Sequence, residues 1–280
     1  RAAMKEVGNQ FVLGQSIERA IKRGKSYQDK GYTFSYDMLG EAALTNNDAI
    51  DYTNAYADTI SYLSKHCKSN DIKDNPGISV KLSALYPRYE LVHKKAVLEI
   101  LGDRLLKLAL MAKQANMGLN IDAEEAARLD ISLDIIEQVF SNPLLLGWNG
   151  FGVVVQSYSK RASEVLEWLY ALSKKYNQTI MVRLVKGAYW DTEIKISQSE
   201  GMKDFPVFTS KAATDISYLA CAKKLFNMTD YIYPQFATHN AHTIFSIIKI
   251  AKQNQNYEFQ RLHGMGATLY NQIMQNHQIK

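Results

Sequence analysis

Short apolar runs alternate along the chain with longer segments whose apolar residues recur at helical spacing. Several of the runs are almost continuously apolar, as in Val153-Val154-Val155. Strands that are buried on both faces of a parallel sheet have this pattern. The pattern predicts seven strands: Thr33–Met38, Ile78–Ala84, Gly118–Ala123, Gly152–Gln156, Ile180–Val185, Tyr231–Ala237 and Glu258–Leu262.

The segments between these strands predict amphipathic helices. Apolar residues recur every three to four positions in four segments, 97–112, 129–140, 165–172 and 244–251. In a helix this spacing places them on one face, so each segment has one apolar stripe. A further helix is predicted over Phe11–Lys30, in a leading helical segment of residues 1–32. Repeated strand–helix units indicate an α/β fold with a parallel sheet, either open and doubly wound or closed as a (βα)₈ barrel.

The absence of nucleotide-binding motifs favours the barrel, whereas the number of strands does not complete it. No GxGxxG follows the first strand and no Walker motif occurs, which weakens the open dinucleotide-binding fold. Seven strands are one fewer than a closed TIM barrel needs, and a missing strand leaves two open edges. We therefore expect a TIM-like barrel in which either one strand is not visible in the apolar pattern or the chain is incomplete. With no linker or internal repeat, a single domain over residues 1–280 is the simplest division.

Composition and charge narrow the class of protein further. The net charge of +5 comes from basic pairs dispersed along the chain. Nucleic-acid binders usually cluster such charge on one face, so these pairs predict solvated helix faces. Cys67 and Cys221 are the two cysteines and lie far apart, and no stretch of 18 apolar residues occurs. We expect a reduced, cytoplasmic protein without disulfides or membrane-spanning helices.

Polar residues stand where the predicted strands end. In a (βα)₈ barrel the chemistry lies at these carboxyl ends. Lys81 and Arg183 fall within apolar strands, and a buried charge must be paired or functional. Together with the acids they indicate a site for an anionic substrate or cofactor. The strand-end residues are Asp37, Lys81, Asp122, Gln156, Arg183, Lys186, Thr238, His239, Asn240 and His263.

Each of these residues also has a purely structural interpretation. Lys81 could pair with Asp122 across the mouth of the barrel and do nothing more. Glu124 and Glu125 fit the start of the following helix, where acids suit its positive end. His239 and His242 are three residues apart, but no third ligand follows at a suitable spacing, so no metal site is predicted.

Several blocks of sequence carry a resemblance. Ile78–Leu85 (ISVKLSAL), Asn120–Ala126 (NIDAEEA), Arg183–Trp190 (RLVKGAYW) and Phe236–Thr243 (FATHNAHT) resemble motifs of the proline dehydrogenase family. Ser35–Leu44 (SYDMLGEAAL) and Leu262–Gly266 (LHGMG) are similar to the dehydrogenase domain of bifunctional bacterial members. The resemblance covers nearly the whole chain.

The resemblance implies an activity and its partners. It implies a distorted (βα)₈ TIM-like barrel, with its last strand and helix missing from this chain. This barrel would bind FAD without a covalent bond and oxidise L-proline to Δ¹-pyrroline-5-carboxylate, the first step of proline catabolism to glutamate. Electrons would pass to a quinone at the membrane, with peripheral membrane association during turnover. It also implies an aldehyde dehydrogenase domain elsewhere in the parent chain and no nucleic acid bound through this domain.

The resemblance also implies roles for single residues. Asp122 and Arg183 would be catalytic, Lys81 would bind the proline carboxylate, and Leu184 and Tyr189 would pack against the substrate ring. The residues expected to contact the flavin are Gln156, Val185, Lys186, Gly187, Ala188, Trp190, Thr209, Lys211, Thr238, His239 and Asn240.

One expected part of the family's site is missing from the chain. Glu41 matches an acid that pairs with an arginine of the family's last helix. The chain ends at Lys280, before the tyrosine and two arginines that clamp the proline carboxylate in the family. We therefore expect these 280 residues alone to show little or no proline oxidation.

Two alternatives from other classes stay open at this point. Lys81 and Lys186 lie in predicted strands, and a lysine nucleophile in a barrel is compatible with a Schiff-base aldolase. The other alternative is an inactive fragment of a larger bifunctional protein.

Overall fold

Seven parallel strands form the centre of the molecule. The computed structural model describes residue 8 and residues 11–38, 42–251 and 256–277. Within these residues each strand pairs in parallel with the next along the chain, from β1 to β7, in one curled TIM-like half-barrel. The strands are β1 Ser35–Asp37, β2 Gly77–Val80, β3 Leu119–Ile121, β4 Phe151–Gln156, β5 Ile180–Val185, β6 Ile232–Ala237 and β7 Glu258–Gln260. All seven predicted strands are confirmed in place and order.

Helices connect the strands. The helices are α1 Ile17–Gln28, α2 Asn46–Ser64, α3 Leu82–Leu85, α4 Gly102–Gln114, α5 Leu129–Phe140, α6 Ala162–Tyr176, α7 Trp190–Ser199, α8 Lys211–Phe226, α9 Ala241–Ile250 and α10 Ala267–His277. A helical segment at Lys94–Ala96 and a π-helical turn at Val97–Leu101 lead into α4. Short 3₁₀ segments lie at Ile72–Asp74, Leu91–His93, Ala126–Arg128 and Pro143–Leu145. In the part of the chain that the structure describes, no helix is long and apolar enough to cross a bilayer.

The second strand is shorter than predicted. It ends at Val80, so the prediction that it continues through Lys81 to Ala84 is wrong. The reason is that side chains satisfy the backbone beyond Val80. The Lys81 amide donates to the Tyr56 hydroxyl at 3.3 Å, and the Ser83 amide donates to the Glu124 carboxylate at 2.9 Å. Lys81 therefore stands just past the strand end, at the mouth of the barrel.

The leading helix is also shorter than predicted. It covers Ile17–Gln28 rather than Phe11–Lys30, because the Ser16 side chain caps it by accepting from the Arg19 amide. A side-chain oxygen at this position satisfies one of the free amides of the first turn. Of the predicted leading segment, residues 1–7 and 9–10 lie outside the described residues.

The side chains of β5 point alternately to the core under the helices and to the interior of the barrel. Ile180, Val182 and Leu184 are fully buried, whereas Met181 and Arg183 line the cavity inside the curled sheet. Side chains of a strand point alternately to the two faces of the sheet. The apolar set therefore packs beneath the surrounding helices, and Arg183 points into the barrel.

Candidate active site

A large cavity occupies the inside of the curled sheet and its mouth. Its volume is about 1880 Å³. The structure brings most of the residues that the sequence singled out to its wall. The predicted site residues that line it are Lys81, Asp122, Gln156, Arg183, Val185, Lys186, Gly187, Ala188, Tyr189, Lys211, Thr238, His239 and Asn240.

Lys81 lies between two carboxylates at this mouth. Its ammonium contacts both oxygens of Asp37, at 2.9 and 3.0 Å, and one oxygen of Asp122 at 3.0 Å. Burial lowers the pKa of Lys81, but the carboxylates of Asp122 and Asp37 outweigh burial and raise it above its usual value. Burial and the nearby Asp122 raise the pKa of Asp37. The Lys81–Asp122 pair, which the structural interpretation of Lys81 considered, is present, with Asp37 as a second partner.

Arg183 shares Asp122 with Lys81. One terminal nitrogen of its guanidinium donates to Ser79 at 2.9 Å and lies 3.3 Å from Asp122, and the other donates to Ser35 at 3.0 Å. The side chain is 12% exposed. Burial lowers the pKa of Arg183, although an arginine remains charged at neutral pH. Asp37, Lys81, Asp122 and Arg183 are called the mouth cluster below.

The loop after β3 is braced from three sides. The Glu124 carboxylate accepts from the Ser83 amide at 2.9 Å and from Arg128 at 2.7 Å. The Glu124 carbonyl accepts from the Gln156 amide at 2.9 Å, and the Glu193 carboxylate accepts from the Ala126 amide at 2.6 Å. Burial raises the pKa of both Glu124 and Glu193. These bonds fix the loop that carries Asp122.

Glu124 stands just before the helical segment Ala126–Arg128, as its structural interpretation expected, but its side chain has a further role. It is 6% exposed and connects the loops that follow β2 and β3. Glu125, by contrast, stands at the N-cap position of the 3₁₀ segment Ala126–Arg128, without a capping bond from its side chain.

The segment after β5 approaches the cavity closely. Gly187 has a φ of +145°, and a Cβ there would lie 2.4 Å from the Tyr158 ring. Only glycine fits this combination of backbone angle and contact. The Ala188 amide donates to the Gln156 side chain at 3.0 Å, which fixes the segment against β4. The missing side chain of Gly187 therefore lets the Tyr158 ring pack against the segment, and Gly187, Ala188 and Tyr189 line the cavity.

Two lysines flank the start of α8. Lys186 contacts Asp215 at 2.5 Å, and Lys211 contacts the other oxygen of the same carboxylate. These two bonds hold the pKa of Asp215 below its usual range. Ser210 caps α8 by accepting from the Ala213 amide at 3.1 Å. A helix N-terminus with two adjacent cations is suited to a phosphate group.

Other predicted site residues lie away from the cavity or have structural partners. Leu184 is fully buried among the helices, and Thr209 is exposed. Trp190 donates its indole N–H to the Phe208 carbonyl at 2.9 Å. The His239 Nε2 accepts from the Leu262 amide at 2.9 Å. Glu41 lies outside the described residues.

Some members of the site were missed by the sequence analysis. Ser35 and Ser79 contact Arg183, and Asp215 joins two lysines of the predicted flavin set. Glu193 reaches the Ala126 amide across 67 residues of sequence. A serine in a strand or an acid in a helix gives no local signal, because its partner comes from a distant element.

Known proteins share this arrangement of motifs. The family model described as "Proline dehydrogenase" matches residues 20–280. The chain belongs to the proline dehydrogenase family. This agrees with the resemblance of the four sequence blocks and with the TIM-like half-barrel.

Its relatives include much longer bifunctional members of the family. The chain is 51% identical over 274 residues to the bifunctional protein PutA of Salmonella typhimurium, covering 97% of this chain and 21% of that protein. The structure of a D779Y mutant of Bradyrhizobium japonicum proline utilization A matches with a TM-score of 0.91 at 48% identity, over 99% of this chain and 28% of that one.

A more distant member has the same fold. Proline utilization A from Bdellovibrio bacteriovorus, inactivated by N-propargylglycine, matches with a TM-score of 0.92 at 29% identity. The match covers 97% of this chain and 30% of that one. The chain therefore spans about a fifth to a third of the length of these relatives.

Proposed function

We propose that this chain carries the proline-oxidising site of an FAD-dependent proline dehydrogenase. The reaction converts L-proline to Δ¹-pyrroline-5-carboxylate and passes two electrons to a quinone. The observation that carries the proposal is the mouth cluster, in which two cations from β5 and the end of β2 share Asp122 beside the glycine segment after β5. An anionic substrate would contact these two cations at the mouth of the cavity, in exchange for part of their contact with the carboxylates.

The residues present fit FAD. The segment after β5 lines the cavity at Gly187, Ala188 and Tyr189, so a flat ring system in the cavity would lie against it. Lys186, Lys211 and the N-terminus of α8 supply the positive charge that a pyrophosphate requires. Both lysines line the cavity that also contains Arg183.

The protein's own residues would bind, orient and stabilise charge. Lys81 binds the proline carboxylate as a persistent cation, because its raised pKa keeps the amine protonated. Proline loses a hydride from the carbon next to nitrogen and a proton from nitrogen, which forms the C=N bond of the product. FAD supplies the hydride acceptor. Arg183 would stabilise negative charge that develops on a hydride acceptor bound in this cavity.

The same contacts disfavour a Schiff-base aldolase. A lysine nucleophile must lose its proton, and enzymes achieve this by lowering the lysine pKa. Lys81 has the opposite environment, with two carboxylates that raise its pKa. Lys186 is paired with Asp215.

The bifunctional relatives also indicate a further domain and an electron acceptor for the full-length protein. Since PutA of Salmonella typhimurium is described as bifunctional and is about five times as long as the match, we propose that the full-length protein also carries an aldehyde dehydrogenase domain. A quinone acceptor would bring the cytoplasmic protein into contact with the membrane surface during turnover.

The test uses the full-length protein. Its absorbance spectrum should show bound flavin, and anaerobic L-proline should bleach the flavin band. Addition of a water-soluble quinone should then restore the band. Borohydride trapping with a keto substrate tests the aldolase, and covalent trapping on Lys81 or Lys186 with no flavin present would overturn the proposal.

A further inference from the structure

A polar row crosses the barrel interior beneath the mouth cluster. Arg183 of β5 is in register with Gln235 of β6, and Gln235 is in register with Glu258 of β7. All three line the cavity. The interior of a TIM barrel is usually filled by layers of branched apolar side chains. A row of an arginine, an amide and a carboxylate needs another explanation.

Glu258 is the acceptor at the centre of this row. Its carboxylate accepts from the Tyr233 hydroxyl at 3.1 Å, from the Gln235 amide at 3.0 Å and from the Gln260 amide at 2.6 Å. Burial raises the pKa of Glu258, while the three donors and the charge of Arg183 oppose that rise. The carboxylate is therefore held in place by three separate strand positions.

Gln235 is oriented by Glu258. Because its Nε2 donates to the carboxylate, its Oε1 points elsewhere, and this buried oxygen has no hydrogen-bond partner among the described residues. The Nε of Arg183 is likewise buried without a partner in the described part of the chain. One is an acceptor and the other a donor, on directly paired positions of adjacent strands. No hydrogen bond joins these two atoms in the structure; a small rotation of either side chain, or one bridging water, would give each of them the partner that buried polar groups usually have.

Arg183 has observed contacts at its terminal nitrogens. These contact Ser35, Ser79 and Asp122, which come from β1, β2 and the end of β3. The neighbouring strand β6 carries Gln235 in register with Arg183, and Gln235 is in turn bonded to Glu258 of β7. A guanidinium fixed at one end alone can swing, whereas one fixed at both ends keeps its direction.

We propose that Glu258 is a positioning residue for the reaction, which through Gln235 fixes the Arg183 guanidinium from the β6–β7 side. The inference rests on the proposed function, since it assigns Glu258 to the arginine that stabilises the transition state. Glu258 does not contact the substrate; it acts through Arg183.

The first test compares Glu258→Gln with Glu258→Asp in the full-length protein with FAD bound. The glutamine keeps the size of the side chain and removes its charge. We expect kcat and kcat/KM for proline to fall together, by about tenfold, with KM almost unchanged, because only transition-state stabilisation is lost. Glu258→Asp should recover part of the loss. Glu137→Gln, a surface acid paired with Lys175 at 3.0 Å, is the matched control.

The second test separates positioning from a merely structural role. In an Arg183→Met background, Glu258→Gln should cause no further loss of kcat, because residues that act as one unit are not additive. Gln235→Met should resemble Glu258→Gln if the amide is the link. An unchanged kcat in Glu258→Gln, or a full additional loss in the double variant, would overturn the inference.

A crystal structure, which does not depend on turnover, tests this inference independently of the proposed function. In a crystal structure of Glu258→Gln, the Arg183 guanidinium should leave Ser79 and Ser35. If it stays at both serines, the inference fails even when the wild-type protein oxidises proline. If the wild-type protein does not oxidise proline, the proposed function fails, and the position of Arg183 in the variant still decides whether Glu258 holds it.

Discussion

Asp122 is the residue on which the two cations of the mouth cluster depend. It contacts Lys81 at 3.0 Å and Arg183 at 3.3 Å, and its side chain is 16% exposed. Of these contacts, the sequence analysis offered the Lys81–Asp122 pair as one interpretation of Lys81, because an acid and a lysine at neighbouring strand ends meet in a barrel. The serines that orient Arg183 could not be predicted, since small hydroxyl side chains occur in many strands without a role.

Replacing Arg183 tests its role at the residue scale. We expect Arg183→Met to lower turnover by about a hundredfold, because loss of one transition-state donor costs roughly 3 kcal/mol. FAD content should change much less. Steady-state kinetics and flavin absorbance per protein measure both, with Arg161→Met, on the surface beside Asp130, as the control. Near-normal turnover in Arg183→Met would contradict the assignment.

Replacing Lys81 should affect the KM for proline more than kcat. A lysine that contacts the carboxylate in both the ground and transition states contributes uniform binding, so Lys81→Ala should mainly raise the KM for proline. Proline titrations of Lys81→Ala and of the surface control Lys175→Ala measure this. A large fall in kcat at unchanged KM would count against a carboxylate-binding role.

At the scale of elements, loops after the strands are tied to one another by side chains. Glu124 connects the loop after β3 with the start of α3, and Gln156 connects it with the segment after β5. The sequence predicted where the strands lie but placed the end of β2 four residues too late. Side-chain acceptors for the backbone amides of Lys81 and Ser83 end the strand, and no local pattern reveals them.

Glu124→Ala tests whether this brace positions the mouth cluster. The change leaves the buried Ser83 amide without its acceptor, which typically costs about 1–3 kcal/mol of stability. We also expect kcat/KM for proline to fall roughly tenfold, because small misplacements of reacting groups are costly. Glu124→Gln keeps an acceptor oxygen and should lie between wild type and Glu124→Ala. Unchanged melting temperature and kinetics in Glu124→Ala would refute the bracing role.

The start of α8 gives a prediction of pH dependence. Asp215 has a pKa lowered by Lys186 and Lys211, so its contribution to stability is present above its unfolded pKa of 3.8 and is lost as pH falls through the folded value. Asp215→Asn should therefore destabilise the protein at pH 7 by less than roughly 1 kcal/mol, since the groups are partly exposed. Urea unfolding between pH 7 and pH 3 should show the difference shrinking below about pH 4. A difference that grows with acid would contradict this account.

For the whole molecule, periodicity predicted the architecture better than it predicted the site. The seven strands occur where the apolar runs predicted them, because buried parallel strands need continuous apolar sequence. The inward polar row of Arg183, Gln235 and Glu258 could not be predicted from the sequence, since it depends on strand register. Family motifs identified Lys81, Asp122 and Arg183, whereas residues that act through these three carry no motif of their own.

The most direct measurement is the anaerobic absorbance of the full-length protein during titration with L-proline. The account predicts a flavin spectrum at the start, bleaching to completion with proline, and full recovery when a quinone is added. In Arg183→Met the same flavin should be present but should bleach about a hundredfold more slowly. A protein that binds no flavin, or a bound flavin that proline leaves oxidised, would contradict the central claim.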